Sequence, residues 1–251
     1  MSLATYCVED LAEQLAAGGS LRLRGPEGRH AITVKRVREG EEIMLISGTG
    51  TWARARVDSL LGKEEALLSA LDHGEAPEPR PRVTVAQALP KSERSELAID
   101  LGTQAGADAF LPWQAEHCVA KWSGAKKVER GLSKWRHAAL AAAKQSRRLR
   151  VPTISDVHST AQLVEAIRDL RSRGGVALLL EGDAGQPIAE CDLDVPEVLL
   201  VVGPEGGISP AERAELGAAG AQEVRLGPEV LRTASASMVA LAAIGVLTQR
   251  W

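Results

Sequence analysis

From Val83 onward the chain alternates short, mostly aliphatic segments with stretches of helical periodicity, and no other feature constrains its fold as tightly. "VTVAQAL", "ADAFLPWQ", "VALLLEG", "VLLVVG" and "EVRLG" read as strands. "KSERSELAIDLGTQAG", "VERGLSKWRHAALAAAKQSRRL", "TAQLVEAIRDLRSRGG", "SPAERAELGAAG" and "SMVALAAIGVLTQRW" read as helices. Aliphatic strands without polar alternation are buried on both faces, as in a parallel sheet covered by helices. Residues 83–251 are therefore expected to form an α/β domain around a mainly parallel sheet.

Residues 1–72 have a different rhythm. "SLRLR", "AITVKRV", "EEIMLIS", "TWARARVDSLL" and "EALLSAL" are short and close together, with glycine turns between them. That spacing predicts a small barrel or sandwich. The "GPEG" at Gly25–Gly28 lies between arginine-bearing segments with no helical pattern after it, and reads as a hairpin turn. "DHGEAPEPRPR" carries three prolines and three acids without an apolar run, so residues 73–82 read as a linker.

Other features exclude whole classes of function. No run approaches the roughly eighteen apolar residues of a membrane span, and "MSLATYCVEDLAEQ" lacks the order of a signal peptide. A cytoplasmic protein with no membrane association is expected. Cys7, Cys118 and Cys191 are odd in number and far apart, which predicts reduced, mostly buried thiols and no metal site. Neither a P-loop nor a dinucleotide fingerprint is present. None of His30, His73, His117, His137 and His158 accompanies a nucleophile elbow, which disfavours a hydrolase. The net charge is −3, yet ten Lys or Arg residues face the single acid Glu129 between Lys121 and Arg150. A surplus of that size is the footprint expected of a polyanion-binding surface.

The second "GPEG", at Gly203–Gly206, ends an apolar strand and leads into a helix. Ser209 is suited to its N-cap, Pro210 to its first turn, and Glu212 to a capping box. Gly203, Gly206 and Gly207 permit a sharp turn that exposes amides, with Gly206 expected to need glycine's conformational freedom. "RLGPEVLRTASASM" repeats the strand–loop–helix arrangement, with Arg232 the lone cation beside Thr233–Ser237. "LLLEGDAG" contributes a third strand end at Leu180, Glu181 and Gly182. Ligands bind beyond the carboxyl ends of parallel strands, so the three loops are expected to converge on one pocket.

Together "LLVVGPEGGISPAE" and "RLGPEVLRTASASMVAL" resemble the carboxy-terminal signature of the RsmE family, SPOUT-class enzymes that methylate N3 of a uridine in 16S ribosomal RNA. "ALPKSERSELAIDLGTQAGADAFLPW", "WRHAALAAAKQSRRLRVP" and "RHAITVKRVREGEEIMLISGTG" are similar to the family's central and amino-terminal segments. The resemblance implies a PUA-like β-barrel RNA-binding domain, a methyltransferase domain with a C-terminal trefoil knot, and a homodimer acting on 16S rRNA within the small ribosomal subunit. It implies S-adenosylmethionine at Leu180, Glu181, Gly203, Pro204, Glu205, Gly206, Gly207, Leu226, Gly227, Leu231, Arg232 and Thr233. Arg232 is the candidate for stabilising charge on the uracil oxygens, against a phosphate contact or structural ion pair. Glu205 is a candidate proton acceptor, or a hydrogen-bond partner within its loop. RNA contacts are expected from His30, Arg36, Arg38, Lys91, Gln145, Arg147, Arg148 and Arg150. Glu181, Ala234 and Gln104 depart from the family's usual histidine and acids. The competing readings are a SPOUT enzyme acting on another RNA, such as transfer RNA, and a non-catalytic RNA-binding or ribosome-associated protein.

Overall fold

A computed structural model describes residues 3–251, the side chains of Ser92 and Glu93 excepted. The chain divides into two compact units: the residues up to Glu78 with Ala143–Val151, and Pro79–Ala142 with Pro152–Trp251.

The first unit contains β1 (Thr5–Cys7), α1 (Leu11–Ala17), β2 (Leu21–Leu23), α2 (Gly25–Arg29), β3 (Glu42–Ile46), β4 (Thr51–Leu60) and β5 (Ala66–Glu75). The strands form one sheet in the order β1-β3-β4-β5-β2. Along β4 the inward residues Ala53, Ala55 and Val57 are buried while Arg56 and Asp58 are exposed, the period-two alternation of a sheet with one covered face. Tyr6, Leu11, Leu21, Leu23, Ile43, Leu45 and Leu68 complete that core. β5 runs as far as Glu75, so Asp72–Glu75 belong to the ladder, paired with Arg54 through Thr51.

Two local expectations fail here. The first GPEG is not a hairpin turn; it opens α2, with Pro26 in the first turn. "AITVKRV" is not a strand either, because His30–Val34 continue α2 as a π-helix. Proline suits a helix start, and Gly28 lies so close to Glu64 that an added Cβ would stand 2.1 Å from its carbonyl oxygen. This packing overrides the β preference of Ile32, Thr33 and Val34, while the widened turn hides the usual helical period.

The segment Ala143–Val151 is woven into the same unit. Lys144 Nζ meets Glu27 Oε1 at 2.7 Å, Val151 N donates to Gly48 O at 2.8 Å, and Arg150 donates to the carbonyls of Thr49 and Ala76.

The second unit contains β6 (Arg82–Ala88), α3 (Ser92–Gln104), β7 (Ala109–Trp113), α4 (Ala125–Gln145, whose last three residues belong to the first unit), β8 (Thr153–Ile154) and α5 (Thr160–Ser172). It continues through β9 (Val176–Leu180), β10 (Gln186–Pro187), β11 (Glu197–Val202), α6 (Pro210–Ala218), β12 (Ala221–Arg225) and α7 (Thr233–Leu247). Seven strands pair in the order β10-β12-β9-β11-β6-β7-β8, and every pairing is parallel. The expected α/β architecture is present; the two-residue strands β8 and β10 lacked enough pattern to be read. α5 packs on α6 and on β9 and β11, while α3 packs on α7, which lies against β11 and β6. Val198–Val202 and Val176–Leu179 are buried, as helices on both faces require.

An ion pair closes the base of this unit. Asp108, before β7, accepts from Val83 N at 2.9 Å and pairs with Arg250 at 2.7 Å, their side chains 7% and 10% exposed. Arg250 also donates to the carbonyls of Pro81 and Gly106, so one guanidinium ties the chain end to two loops. Removing one partner of a buried pair leaves the other uncompensated. Asp108→Ala should therefore lower stability by about 3–5 kcal/mol, read from urea unfolding; a loss within error of zero would contradict a structural role.

Candidate active site

Sheet register brings the three loops together. Val202 at the end of β11 stands opposite Leu180 on β9 and Gln87 on β6, and Val224 on β12 stands opposite Leu180. The strands therefore end at one level, and their loops leave from one edge.

Beyond that edge lies a cleft of about 410 Å³, lined by Leu180, Glu181, Gly203, Pro204, Glu205, Gly207, Leu231, Arg232 and Thr233. This volume falls within the range of small-molecule pockets, about 300–1,000 Å³. Leu226 and Gly227 line a smaller adjoining hollow of about 100 Å³, which shares Leu180, Glu181, Val230 and Leu231 with the first. The three loops thus converge on one cleft, except that Gly206 faces His117, whose Cβ would stand 3.1 Å from an added Cβ. The left-handed backbone lies one residue later, at Gly207 with φ +75°. The conformational demand assigned to Gly206 belongs to Gly207.

The GPEGG loop is held from outside. Lys91 N donates to Glu205 Oε1 at 3.2 Å, and His117 Nδ1 donates to Gly207 O at 3.1 Å. Ser209 and Glu212 form the expected capping box around Pro210. Glu212 is nevertheless 5% exposed, and it also accepts from Glu116 N at 2.9 Å and Thr160 Oγ1 at 2.7 Å. The sequence identified the cap but not these two further donors.

Glu205 Oε2 is buried without a partner among the described residues, and buried acceptors of that kind call for a donor. Arg232 is exposed at the N-cap of α7 and makes no ion pair or side-chain hydrogen bond among the described residues. The structural ion pair considered for it is absent there. Arg94 and Val230 also line the cleft and were not foreseen. Arg94 sits in the first turn of α3, immediately beyond a strand end, and that position was the available signal.

The residues expected to touch RNA are distributed unevenly. Arg36, Arg38, Gln145 and Arg147 are exposed, Arg36 and Arg147 with φ of +57° and +56°. His30 is half-buried, edge-on to Tyr6, and Arg148 is half-buried. Arg150 is committed to Thr49, Ala76 and, at 3.0 Å, Glu78, so its charge is used inside its own unit. Lys91 is exposed and reaches Glu205 only through its backbone. Among the cysteines, Cys118 is buried and Cys7 and Cys191 are half-buried. Among the described residues no cluster suits a metal, and no helix is long and apolar enough to cross a membrane.

Burial raises the Glu181 carboxyl above its ordinary range; Arg213 opposes the shift, and Asp183 and Glu223 add to it. Arg213 contacts Glu223 at 2.6 Å and Asp183 at 3.3 Å, and it holds the Glu223 carboxyl down. The folded chain therefore keeps the Glu181 proton more firmly than the unfolded chain, a contribution lost as pH rises through the carboxylate range. Glu181→Gln should gain stability relative to the parent between about pH 4 and 7, measured by urea melts across that range. A difference independent of pH would sink this assignment.

The profile of an RNA methyltransferase domain matches residues 76–245, and that of an RNA methyltransferase PUA domain matches residues 23–71. The ribosomal RNA small subunit methyltransferase E of Mycobacterium bovis is 51% identical over 228 residues, 90% of this chain and 86% of its own length. The Bacillus subtilis protein of the same name is 32% identical over 97% of this chain and 96% of its own. The crystal structure of the Neisseria gonorrhoeae protein of that name, bound to S-adenosyl methionine, superposes with a TM-score of 0.85 at 25% identity, covering 98% of both chains. Matching domains, relatives and fold all lead to one conclusion: the chain belongs to the RsmE family of ribosomal RNA small subunit methyltransferases.

Proposed function

We propose that this protein methylates N3 of a uridine in 16S ribosomal RNA, with S-adenosylmethionine as methyl donor. The observation that carries the reading is the convergence of three strand-end loops on one cleft, with Arg232 at its rim and unpaired among the described residues. The lining suits the donor. Leu180, Val202, Val230 and Leu231 offer apolar contact to an adenine ring. When bound, S-adenosylmethionine supplies an electrophilic methyl group.

The protein's own work is positioning and charge stabilisation. Uracil N3 gives its imide proton to solvent before it attacks the methyl group, and the negative charge of the resulting anion is shared with the two exocyclic oxygens. Arg232, without an ion pair or side-chain hydrogen bond among the described residues, is placed to meet that charge. Glu205 keeps one oxygen on the Lys91 amide, which fixes its loop, while the other is buried without a partner among the described residues. The exposed Arg36, Arg38 and Arg147 of the first unit are assigned to RNA phosphates.

We further assign the family's trefoil knot to the second unit, a PUA-like barrel to the first, and the assembled small ribosomal subunit in the cytoplasm as the setting. A homodimer is supported by Val246, Leu247 and Trp251, which are 75%, 44% and 66% exposed at the end of α7. An apolar helix end of this kind favours burial against a second copy. Light scattering should give twice the 26.6 kDa chain mass; a monomer at micromolar concentration would exclude this arrangement.

The reading is tested by methyl transfer from labelled S-adenosylmethionine to 16S rRNA, with the modified nucleoside identified by mass spectrometry. Arg232→Ala should reduce turnover by roughly 10²-fold or more while leaving cofactor affinity near that of the parent. Equal loss of both would move Arg232 to cofactor binding, and absence of transfer by the parent would refute the function.

A further inference from the structure

A second, larger cavity of about 560 Å³ lies in the same unit, lined by Lys91, Lys121, Lys127, Lys134, Trp122 and Trp135 among others. Trp135 is fully buried, its Nε1 donating to Ser95 Oγ at 2.7 Å. Trp122 stands edge-on to it, with ring centroids 5.2 Å apart at 72°. A Cβ added to Gly131 would fall 2.6 Å from the Trp122 ring, so the indole rests directly on the α4 backbone. Trp122 N donates to Gln114 Oε1 at 2.9 Å, which pins the loop before the helix. The half-buried ring is thus seated by Trp135, Gly131 and Gln114 and still lines the cavity.

The cavity is strongly cationic. Four lysines line it against one acid, Glu96, and Lys134 is already paired with that acid at 2.6 Å. Lys91, Lys121 and Lys127 are exposed and make no ion pair among the described residues. A fixed indole beside unpaired lysines is the arrangement that holds a single-stranded nucleotide, the base on the ring and the phosphate among the cations. The cavity also abuts the methyl-transfer cleft: Lys91 lines it, Lys91 N holds Glu205 of the GPEGG loop, and Arg94, three residues on, lines the cleft.

We propose that this cavity holds a nucleotide flanking the methylated uridine, its base stacked on Trp122 and its phosphates neutralised by Lys91, Lys121 and Lys127. The assignment rests on the RNA-methylating reading above and supplies a subsite for the substrate strand.

Hexauridylate serves as the probe, with binding followed by tryptophan quenching, alongside calorimetry of S-adenosylmethionine and methyl transfer to 16S rRNA. Trp122→Leu should weaken hexauridylate binding by about five- to hundredfold and raise KM for RNA. Its cofactor affinity should match the parent's, and Trp122→Phe should recover much of the loss. Lys121→Ala and Lys127→Ala should each lower the salt slope of binding by about one unit. If Trp122→Leu fails to fold, the exposed double variant Lys121→Glu with Lys127→Glu decides the matter: lost oligonucleotide binding supports the subsite. Unchanged binding in either variant overturns it. A parent that methylates rRNA while Trp122→Leu behaves normally removes the subsite and leaves the function standing. A parent that binds hexauridylate through Trp122 but transfers no methyl group removes the function and leaves the subsite.

Discussion

Parallel pairing of β9, β11 and β12 is the constraint on which the cleft depends. In a parallel ladder every strand leaves the sheet in the same direction, so loops far apart in sequence must emerge on one side. Register does the rest. Leu180, Val202 and Val224 lie at one level, and a slip of one residue would turn the side chains of a whole strand over. The aliphatic content of these strands thus secures a core and, through register, the alignment of the site.

The two GPEG sequences show how little a short motif decides alone. At Gly25 it starts a helix, because Gly28 is clamped beneath the Glu64 carbonyl. At Gly203 it forms an open loop, because β11 ends there and α6 has its own cap at Ser209. Their glutamates nevertheless serve alike: Glu27 accepts the Cys7 amide at 3.0 Å, and Glu205 the Lys91 amide at 3.2 Å. In both places a carboxylate fixes a glycine-bearing segment to a neighbouring piece of backbone.

What was legible in the sequence was whatever local pattern determines. Long aliphatic strands, the Ser209 cap and the three strand-end loops were read correctly because period and capping chemistry are written in contiguous residues. α2 and its π-helical extension escaped because a tertiary contact, Gly28 against Glu64, overrules local preference there. Arg150 looked like part of a basic surface, but its partners Thr49 and Ala76 lie 101 and 74 positions away, a distance at which local spacing reveals nothing. Arg94 was passed over because nothing in "KSERSE" distinguishes which cation of that turn faces inward.

Glu212 carries a consequence for motion. Its carboxylate takes donors from Ser209, Glu116 and Thr160, at the starts of α6 and α5 and in the segment after β7. None of these segments can swing away without leaving part of a buried charge unsolvated, so they open together or not at all. The amides of Ser209 and Glu116 should then exchange with solvent in a single cooperative event. The start of α6, and with it the GPEGG loop that leads into it, is thereby tied to α5 and to the segment after β7.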